Sequence, residues 1–475
     1  MIFSSSLFLL YFLPAFLLIY FLAGSKYKNY VLLVASIVFY SWGAPRFIFV
    51  IIFTTFLDFQ LVRWMSLSYS PLRRKLFLIL SVCMNLSLLF YFKYSNFFIQ
   101  NFNYLGSPLN LHINTIANLI LPIGISFYTF ETITYVVDVY RKVHTPLRSF
   151  PDYLLYILLF PKLIAGPIVR YHTIAGQLTD RSNSETFDMR LSGFYRFALG
   201  LGKKVLIANV IGKYADDLMM TDPAHLGMLS AWAGILGYAF QIYFDFSGYS
   251  DMAIGIGNMV GFRLPENFNN PYTSASITEF WRRWHMTLGL WMRNYLYIPL
   301  GGNRNGNKYR LYLNLWIVFL ASGLWHGASW NFILWGAWHG LFLILEKIFL
   351  LKVYERTGKW ISVPLTFLVV LTGWVFFRLE HFSQAVHYLQ ALLGHGQEFI
   401  NYSFKKDFVT LLAVAALFSF FTLIPGASRW QDKLYSNVHA NTGHIVLTVV
   451  SLLLFILSLS SITSADFNPF IYFRF

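Results

Sequence analysis

Long apolar runs separated by short polar segments dominate the chain. They fall near residues 7–22, 30–60, 76–92, 115–139, 152–169, 193–212 and 226–244, and after a polar stretch near 311–325, 329–351, 362–378, 408–424 and 444–463. A helix needs about 20 mostly apolar residues to cross a bilayer. The pattern therefore predicts an all-α integral membrane protein. Because no Lys or Arg precedes the run at 7–22, we expect it to stay as a first span and not to act as a cleaved signal peptide.

Three apolar stretches are interrupted by Gly and Pro: LPIGISF (121–127), FPKLIAGPIVR (160–170) and DMAIGIGNMVGF (251–262). Broken helices at membrane depth are tolerated where they are buried in protein or line a cavity. We therefore expect one polytopic domain over 1–475, with N-terminal spans in 1–150, a core in 151–350 and C-terminal spans in 351–475. An extramembrane insertion is expected near 380–407, where the apolar pattern weakens.

Composition agrees with a membrane location. Of the 475 residues 57% are apolar and only 12% are charged, about half the charged fraction of a typical soluble protein, which argues against a soluble enzyme. The net charge of +15 is typical of basic cytoplasmic loops in a membrane protein, and we expect no nucleic-acid partner. The single cysteine, Cys83, allows no intramolecular disulfide and no CxxC metal site. Motifs for nucleotide hydrolysis, serine hydrolases and zinc proteases are missing as well, so we expect no metal and no bound cofactor.

The distribution of basic residues predicts the orientation of the chain. If the first spans run at about 5–24, 30–44, 47–65, 76–92 and 115–139, one set of alternate loops holds nine Lys and Arg residues and the other set holds two, Arg46 and Lys93. Basic loops stay in the cytoplasm. The N-terminus is therefore expected outside.

The most informative segment is EFWRRWHMTLGLWMRNYLYIPLGGNRNGNKYR at 279–310. As one helix it would place a polar arc and an aromatic arc on separate faces; the polar arc holds Glu279, Arg282, His285, Gly289 and Arg293, and the aromatic arc holds Trp281, Trp284, Leu288, Trp291 and Met292. One interpretation is an interfacial helix anchored by tryptophans and snorkelling arginines. The other is one wall of a funnel in which Arg282, Arg283 and Arg293 attract an anionic donor. The following turn adds Arg304, Lys308 and Arg310, which indicates a cytoplasmic position.

His326 is the candidate for chemistry at membrane depth. A helix from Arg310 would place it about 24 Å beyond the basic edge, and Ser322, Gly323, Ser329 and Trp330 would be its neighbours on that helix. An intramembrane histidine either makes an interhelical hydrogen bond or has a function, and the small residues around it favour function. A buried neutral imidazole can act as a general base near neutral pH, which suits deprotonation of an alcohol that attacks a thioester.

Further polar groups lie in apolar surroundings. YFDFSGYSDM (243–252) places Asp245 and Asp251 beside Tyr249. Buried carboxylates need partners, so the two aspartates either pair with an arginine of the central segment or shape a reaction chamber. His339 would point to a different side of a continuous helix from His326, and we expect it to be structural.

Taken together, these residues resemble the membrane-bound O-acyltransferase family, in particular its bacterial branch of alginate O-acetyltransferases and teichoic acid D-alanyl transfer proteins. The resemblance covers nearly the whole chain and is carried by 160–171 (FPKLIAGPIVRY), 243–257 (YFDFSGYSDMAIGIG), 280–304 (FWRRWHMTLGLWMRNYLYIPLGGNR), 322–340 (SGLWHGASWNFILWGAWHG) and 469–475 (PFIYFRF). It implies about eleven transmembrane helices with re-entrant and in-plane helices, forming two funnels that meet at a catalytic histidine, here His326. The second functional histidine of the family corresponds to His285, on the cytoplasmic funnel.

The same resemblance implies a location in the bacterial cytoplasmic (inner) membrane and a reaction. Members like this take an acyl group from a cytoplasmic thioester and deliver it to a hydroxyl outside, commonly through an extracytoplasmic esterase-like partner that acylates a polysaccharide or cell-wall glycan. We therefore expect an O-acetyltransferase that uses acetyl-CoA, with His326 as general base and His285 orienting donor or acceptor. The remaining candidate site residues are Arg282, Arg293 and Trp281 for donor binding, and Asp245, Asp251, Tyr249 and Ser322 for lining the chamber.

Three alternatives stay open from the sequence. The acyl group could be D-alanyl from a carrier protein, transferred to teichoic acid. The broken helices also fit a lipid or polysaccharide transporter, although we find no inverted repeat and no series of intramembrane charges. An inactive scaffold for a secretion complex is a third alternative, against which the intact histidine motifs argue.

Overall fold

The computed structural model describes residues 1–117, 119–222, 225–303, 307–396, 404–436 and 439–464. Within those ranges the regular structure is helical and contains no strand, which confirms the all-α class. The chain forms two compact units, one of Met1–Arg190 with Ile256–Leu264 and one of Leu191–Gly255 with Pro265–Phe475. Arg304, part of the predicted insertion and the closing stretch 469–475 lie outside the described residues.

Most helices of the N-terminal unit fall in the predicted apolar runs, whereas those at 95–106 and 171–179 lie outside them. The helices of this unit are α1 (Leu13–Leu22), α2 (Lys28–Gly43), α3 (Phe47–Leu67), α4 (Pro71–Leu89), α5 (Ser95–Gly106), α6 (Ile125–Tyr140), α7 (Phe150–Leu158), α8 (Phe160–Leu163) and α9 (Tyr171–Thr179). Gly124, at φ +77°, precedes α6, and α8 is only four residues long. The predicted interruptions at 121–127 and 160–170 are therefore confirmed.

The second unit holds both long motifs of the sequence. Its helices include α10 (Phe187–Gly202), α11 (Asn209–Met220), α12 (Met228–Met259), α13 (Ile277–Arg283), α14 (Met286–Trp291), α15 (Lys308–His326), α16 (Trp330–Leu345), α17 (Leu351–Thr357), α18 (Lys359–Arg378), α19 (Phe382–Leu392), α20 (Lys406–Phe420), α21 (Ala427–Leu434) and α22 (Asn441–Ser464). The first residues of α10 and the last residues of α12 belong to the N-terminal unit.

Six helical segments within the described ranges are long and apolar enough to cross a membrane. They are Phe47–Leu67, Pro71–Leu109, Trp330–Thr357, Lys359–Arg378, Lys406–Leu423 and Asn441–Ser464. These segments agree with a multi-pass membrane protein. The larger number of about eleven spans stays a prediction.

The break expected in 251–262 lies only at the end of this stretch, because α12 continues to Met259 and stops at a turn that contains Gly261, at φ +82°. Glycines inside α12 serve close packing. A Cβ on Gly255 would lie 2.6 Å from the Gly193 carbonyl oxygen, and one on Gly248 would lie 2.6 Å from the Gly200 carbonyl oxygen. α10 and α12 thus meet backbone to backbone.

Two helices that the sequence analysis treated as continuous are broken in the structure. The segment from 279 divides into α13 and α14 at Trp284 and His285, so the predicted polar arc does not exist as one helix face. α15 ends at His326, with Gly327 extended, and α16 begins after Ser329. Ser329 and Trp330 are therefore not neighbours of His326 on its own helix.

Candidate active site

The N-terminus of α13 is held by two carboxylates. Ser276 caps the helix, since its hydroxyl accepts from the Glu279 N–H at 3.0 Å, and the Glu279 carboxylate reaches back to accept from the N–H of Ala275, the residue before the cap, at 2.8 Å. Glu346, at the start of the π-helical segment Glu346–Leu350 that continues α16, accepts from the backbone N–H groups of Ile277 and Thr278. A carboxylate at a helix N-terminus satisfies otherwise unpaired N–H groups and interacts favourably with the helix dipole. α13 is thereby tied to the end of α16.

His285 occupies the break between α13 and α14 in the left-handed backbone region, at φ +44°. This conformation is uncommon for a residue with a side chain and costs on the order of 1–3 kcal/mol. Asn267 stabilises it from the neighbouring segment: its carbonyl accepts from the Met286 N–H at 2.9 Å, and its side-chain oxygen lies 3.0 Å from His285 Nδ1. Retained strain of this kind at a polar residue points to a functional position.

The His285 ring is almost completely removed from water. His285 is only 1% exposed, and the Phe246 ring packs edge-on against the imidazole, with 4.7 Å between the ring centroids. Burial lowers the pKa of His285 to about 3, because an apolar environment disfavours the charged imidazolium. His285 is therefore neutral at physiological pH.

His326 lies at the C-terminus of α15 inside a cage of aromatic rings. The rings of Trp325, Trp335 and Phe377 meet it nearly edge-on, with centroids 4.9, 5.0 and 5.1 Å away. Trp325 also reaches the ring of His285, at 6.2 Å. The structure thus brings together the two histidines that the sequence analysis selected, with one tryptophan in contact with both.

Small residues position His326 by allowing α15 and α16 to approach closely. A Cβ on Gly323 would overlap the Phe332 carbonyl, and one on Gly336 would overlap the Phe319 carbonyl. Ser322 is buried one turn before His326 on α15. The small residues around His326 thus admit a neighbouring helix.

His339 lies on α16 on the far side of Trp335. Its ring is 5.3 Å from that of Trp335 and 4.9 Å from that of Trp281, and the residue is fully buried. Neither ring nitrogen has a hydrogen-bond partner within the described part of the chain. We call His285, Trp325, His326, Trp335 and His339 the histidine cluster.

The three residues expected to bind the donor lie in two different environments. Arg282 and Arg293 are exposed, whereas Trp281 is half-buried against α16, with its ring 5.4 Å from that of Trp335. Arg283 pairs with Glu279 at 2.6 Å, so its charge is partly neutralised. The cationic candidates are thus available to solvent near the break that holds His285.

The aspartates of 243–252 pair with residues that the sequence analysis did not select. Asp245 lies 2.8 Å from Lys204. Asp251 accepts from Arg196 Nε at 2.8 Å and from Lys203 at 2.7 Å. The expectation of an arginine from the central segment is wrong, because the closely packed helix α10 and the π-helical segment Lys203–Ala208 after it supply these cations.

Arg196 extends these pairs into a larger set. It also binds both oxygens of Glu266, at 3.0 and 2.6 Å. We call Arg196, Lys203, Asp251 and Glu266 the Arg196 network. Asp251 borders a cavity of about 800 Å³ with largely apolar walls, and Tyr249 is buried nearby on α12. Their role as chamber lining stays a prediction.

Sequence reasoning missed Asn267, Glu346, Trp325 and Trp335. Trp325 and Trp335 flank the selected histidine in sequence, but their contacts depend on the break at Gly327. Asn267 lies in the polar stretch PENFNNPY (265–272), whose low hydropathy was the available signal. Within the described residues no group of three or more His, Cys, Asp or Glu side chains is arranged to hold a metal ion.

This arrangement suits proton transfer, because His285 is uncharged before a substrate binds. His285, which burial keeps neutral, and His326 share one aromatic wall, and hydrogen bonds to a reacting group are stronger in such an apolar setting than in water. The exposed arginines can attract an anionic molecule from the aqueous side.

Comparison with known proteins gives a consistent result. Residues 140–379 match the model of the MBOAT, membrane-bound O-acyltransferase family. The chain is 38% identical, over the whole of both proteins, to a probable alginate O-acetylase of Pseudomonas putida. It is 37% identical to the peptidoglycan O-acetyltransferase of Helicobacter pylori, over 83% of this chain and 80% of that protein. It is 29% identical to the teichoic acid D-alanyltransferase of Bacillus subtilis, over 56% of this chain and 70% of that protein.

Proposed function

The chain belongs to the membrane-bound O-acyltransferase family, and we propose that it moves an acetyl group from cytoplasmic acetyl-CoA across the membrane for O-acetylation of a secreted polysaccharide or cell-wall glycan. Its class, a multi-pass membrane O-acyltransferase, follows from the family and from the O-acetyltransferase relatives. The transporter and scaffold alternatives have no comparable support. The donor, the acceptor and the direction of transfer are the proposed part.

Acetyl is preferred over D-alanyl because of how much of the chain each kind of relative covers. The O-acetyltransferase relatives align over the whole chain or 83% of it, at 38% and 37% identity, whereas the D-alanyltransferase aligns over 56% at 29%. D-alanyl transfer from a carrier protein is the second candidate, and that alignment is the observation in its favour.

The observation that carries the mechanism is the shared contact of His285 and His326 with Trp325. In the proposed reaction His326 removes the proton from the acceptor hydroxyl as the oxygen attacks the thioester carbonyl. The new ester bond forms, the carbon–sulfur bond breaks, and the coenzyme A thiolate takes up the proton that His326 removed, which returns His326 to its starting form. His285 orients the reacting groups, and Arg282 and Arg293 attract the anionic donor.

The proposed route has two ends. The donor enters from the cytoplasm, where the basic turn after α14 lies, and the N-terminus lies outside. Two funnels within about eleven spans of the inner membrane would meet at His326. The acetyl group then passes to an extracytoplasmic esterase-like partner that acylates the polymer.

Inside-out membrane vesicles from cells that express the protein with its neighbouring genes test the proposal, because they expose the cytoplasmic face. Acetyl-CoA labelled in the acetyl group is added outside the vesicles, and label is measured as alkali-labile ester in the glycan and in the protein fraction. We expect labelled ester with the native protein and none with His326→Ala at equal membrane abundance.

A parallel sample receives a carrier protein loaded with labelled D-alanine. Transfer from the carrier and none from acetyl-CoA would replace acetyl by D-alanyl. Equal acetyl transfer by native and His326→Ala vesicles would overturn the assignment of His326.

A further inference from the structure

Asn267 is the hydrogen-bond partner of His285 and bears on which tautomer its neutral imidazole adopts. Its side-chain oxygen lies 3.0 Å from His285 Nδ1, and both residues are 1% exposed. No other hydrogen-bond partner reaches this ring: Nε2 is buried and unpartnered within the described residues. Which ring nitrogen of His285 carries the proton therefore depends on whether Asn267 directs its side-chain oxygen or its NH2 group at Nδ1.

The orientation of the Asn267 amide is set by its other contacts. The same oxygen accepts from the Thr287 hydroxyl at 2.8 Å and faces the Thr287 backbone N–H at 3.4 Å, while the amide nitrogen donates to Ser250 at 3.0 Å. A backbone N–H can only donate. A flipped amide would place its NH2 group against that N–H, so the oxygen stays toward Thr287 and His285.

An oxygen that only accepts requires a donor at His285 Nδ1. A neutral imidazole carries one proton, and burial keeps His285 neutral. The proton therefore lies on Nδ1, and Nε2 keeps its lone pair.

We propose that Asn267 is a positioning residue that fixes His285 as a hydrogen-bond acceptor at Nε2. This deepens the proposed function and rests on it. His285 can then accept a hydrogen bond from a hydroxyl or N–H of a substrate, and it cannot donate from Nε2 to the oxyanion that forms on the thioester carbonyl. Stabilisation of that oxyanion falls to another group.

The direct test reads the proton without using activity. The protein is labelled with 15N at histidine, reconstituted in liposomes and studied by solid-state NMR, and the His285 signals are identified by their loss in His285→Gln. We expect a protonated Nδ1 and an unprotonated Nε2 down to about pH 5, since the pKa lies near 3. A protonated Nε2 in the native protein would overturn the proposal, whatever the outcome of the acetyl-transfer assay.

Variants test the consequence for catalysis in the vesicle assay. Asn267→Leu, of similar size but without an acceptor, is expected to lower kcat about 100-fold while KM for acetyl-CoA changes little. Thr287→Val removes the other hydroxyl bond to the same oxygen and leaves the bond to His285, so it should keep most activity. Asn314→Leu is the matched control, because Asn314 is a buried asparagine that donates to the Gly302 carbonyl, away from the cluster.

Asn267→Asp separates positioning from folding. The aspartate keeps the acceptor and adds a charge that favours imidazolium, so His285 should titrate at a higher pH than in the native protein. Activity should then be restored relative to Asn267→Leu at high pH and fall as pH is lowered, since protonation removes the Nε2 lone pair. Equal losses in Asn267→Leu, Thr287→Val and Asn314→Leu, with no change in the pH profile of Asn267→Asp, would assign Asn267 a structural role only.

Discussion

The Arg196 network and the histidine cluster both hold polar groups in the second unit, but they do so in opposite ways. In the network each carboxylate oxygen of Asp251 and Glu266 accepts from a cation. In the cluster the rings are surrounded by aromatic edges, and His285 keeps an unpartnered nitrogen among the described residues. Saturated groups have little capacity left for a substrate, whereas an unused lone pair can bind one. The network is therefore expected to serve stability and the cluster to serve chemistry.

Removal of the His326 side chain should give the largest loss of acetyl-transfer rate without a comparable loss of stability. His326→Ala is expected to lower the acetyl-transfer rate by at least about 100-fold, the usual contribution of a general base, while the protein remains folded. The rate is measured in inside-out vesicles, and folding by thermal unfolding in detergent. His172→Ala is the matched control, because His172 pairs with Asp138 in the N-terminal unit. A similar loss of rate in both variants would contradict the special role of His326.

Removal of Arg196 should give the reverse result. In Arg196→Met only Lys203 still pairs with Asp251, and Glu266 loses its partner. Breaking a buried ion pair costs about 3–5 kcal/mol of unfolding free energy. Because the Glu266 side chain is half-exposed, we expect a loss at the lower end of that range. Thermal unfolding should shift to lower temperature, and the activity per folded molecule should persist. Arg293→Met, at an exposed position, is the control for loss of charge alone. An unchanged unfolding temperature for Arg196→Met would break the comparison.

Gly373→Ala tests whether the cluster tolerates any change of packing. A Cβ at this position on α18 would lie 2.6 Å from His339 Nε2, and overpacking of this kind costs about 1–3 kcal/mol. In a His339→Ala background the same change should cost less, as a double-mutant cycle measures. Gly176→Ala is the control, because a Cβ there meets nothing within 4 Å. Equal costs in both backgrounds would show that the two residues are not coupled.

The smallest effects are expected at the exposed arginines. Arg282→Gln and Arg293→Gln should each raise KM for acetyl-CoA by a few-fold at low salt and leave kcat unchanged, because exposed charges contribute about 0.2–1 kcal/mol. The effect should shrink at high ionic strength. A change in kcat would instead place these arginines at the reacting groups.

The sequence predicted those features that depend on local pattern. The apolar runs at 47–65, 362–378 and 444–463 correspond to Phe47–Leu67, Lys359–Arg378 and Asn441–Ser464, because uninterrupted hydropathy leaves few alternatives to a spanning helix. His326 could be selected because polar residues are scarce in such surroundings.

The predictions of helix continuity and helix breaks were less accurate, because these features depend on contacts between segments that are distant in the chain. The interruption expected in 251–262 was not located, since Gly255 lies within α12 and provides space for α10, whereas the helix ends after Met259, and hydropathy does not distinguish these two uses of glycine. His285 fitted a helix face by spacing, yet Asn267 and the Met286 N–H hold it in a left-handed conformation. Such a break requires a partner that lies 18 residues away in the chain.

The tie between Glu346 and α13 limits how a substrate can enter. Sliding α16 along α13 would release the hydrogen bonds to Ile277 and Thr278 together and leave a buried carboxylate unsolvated. We therefore expect α13 and α16 to move together, so that a substrate enters without separating them. Spin labels placed on α13 and α16 should report one unchanged distance distribution with and without acetyl-CoA, and a shift on addition would show instead that the helices separate.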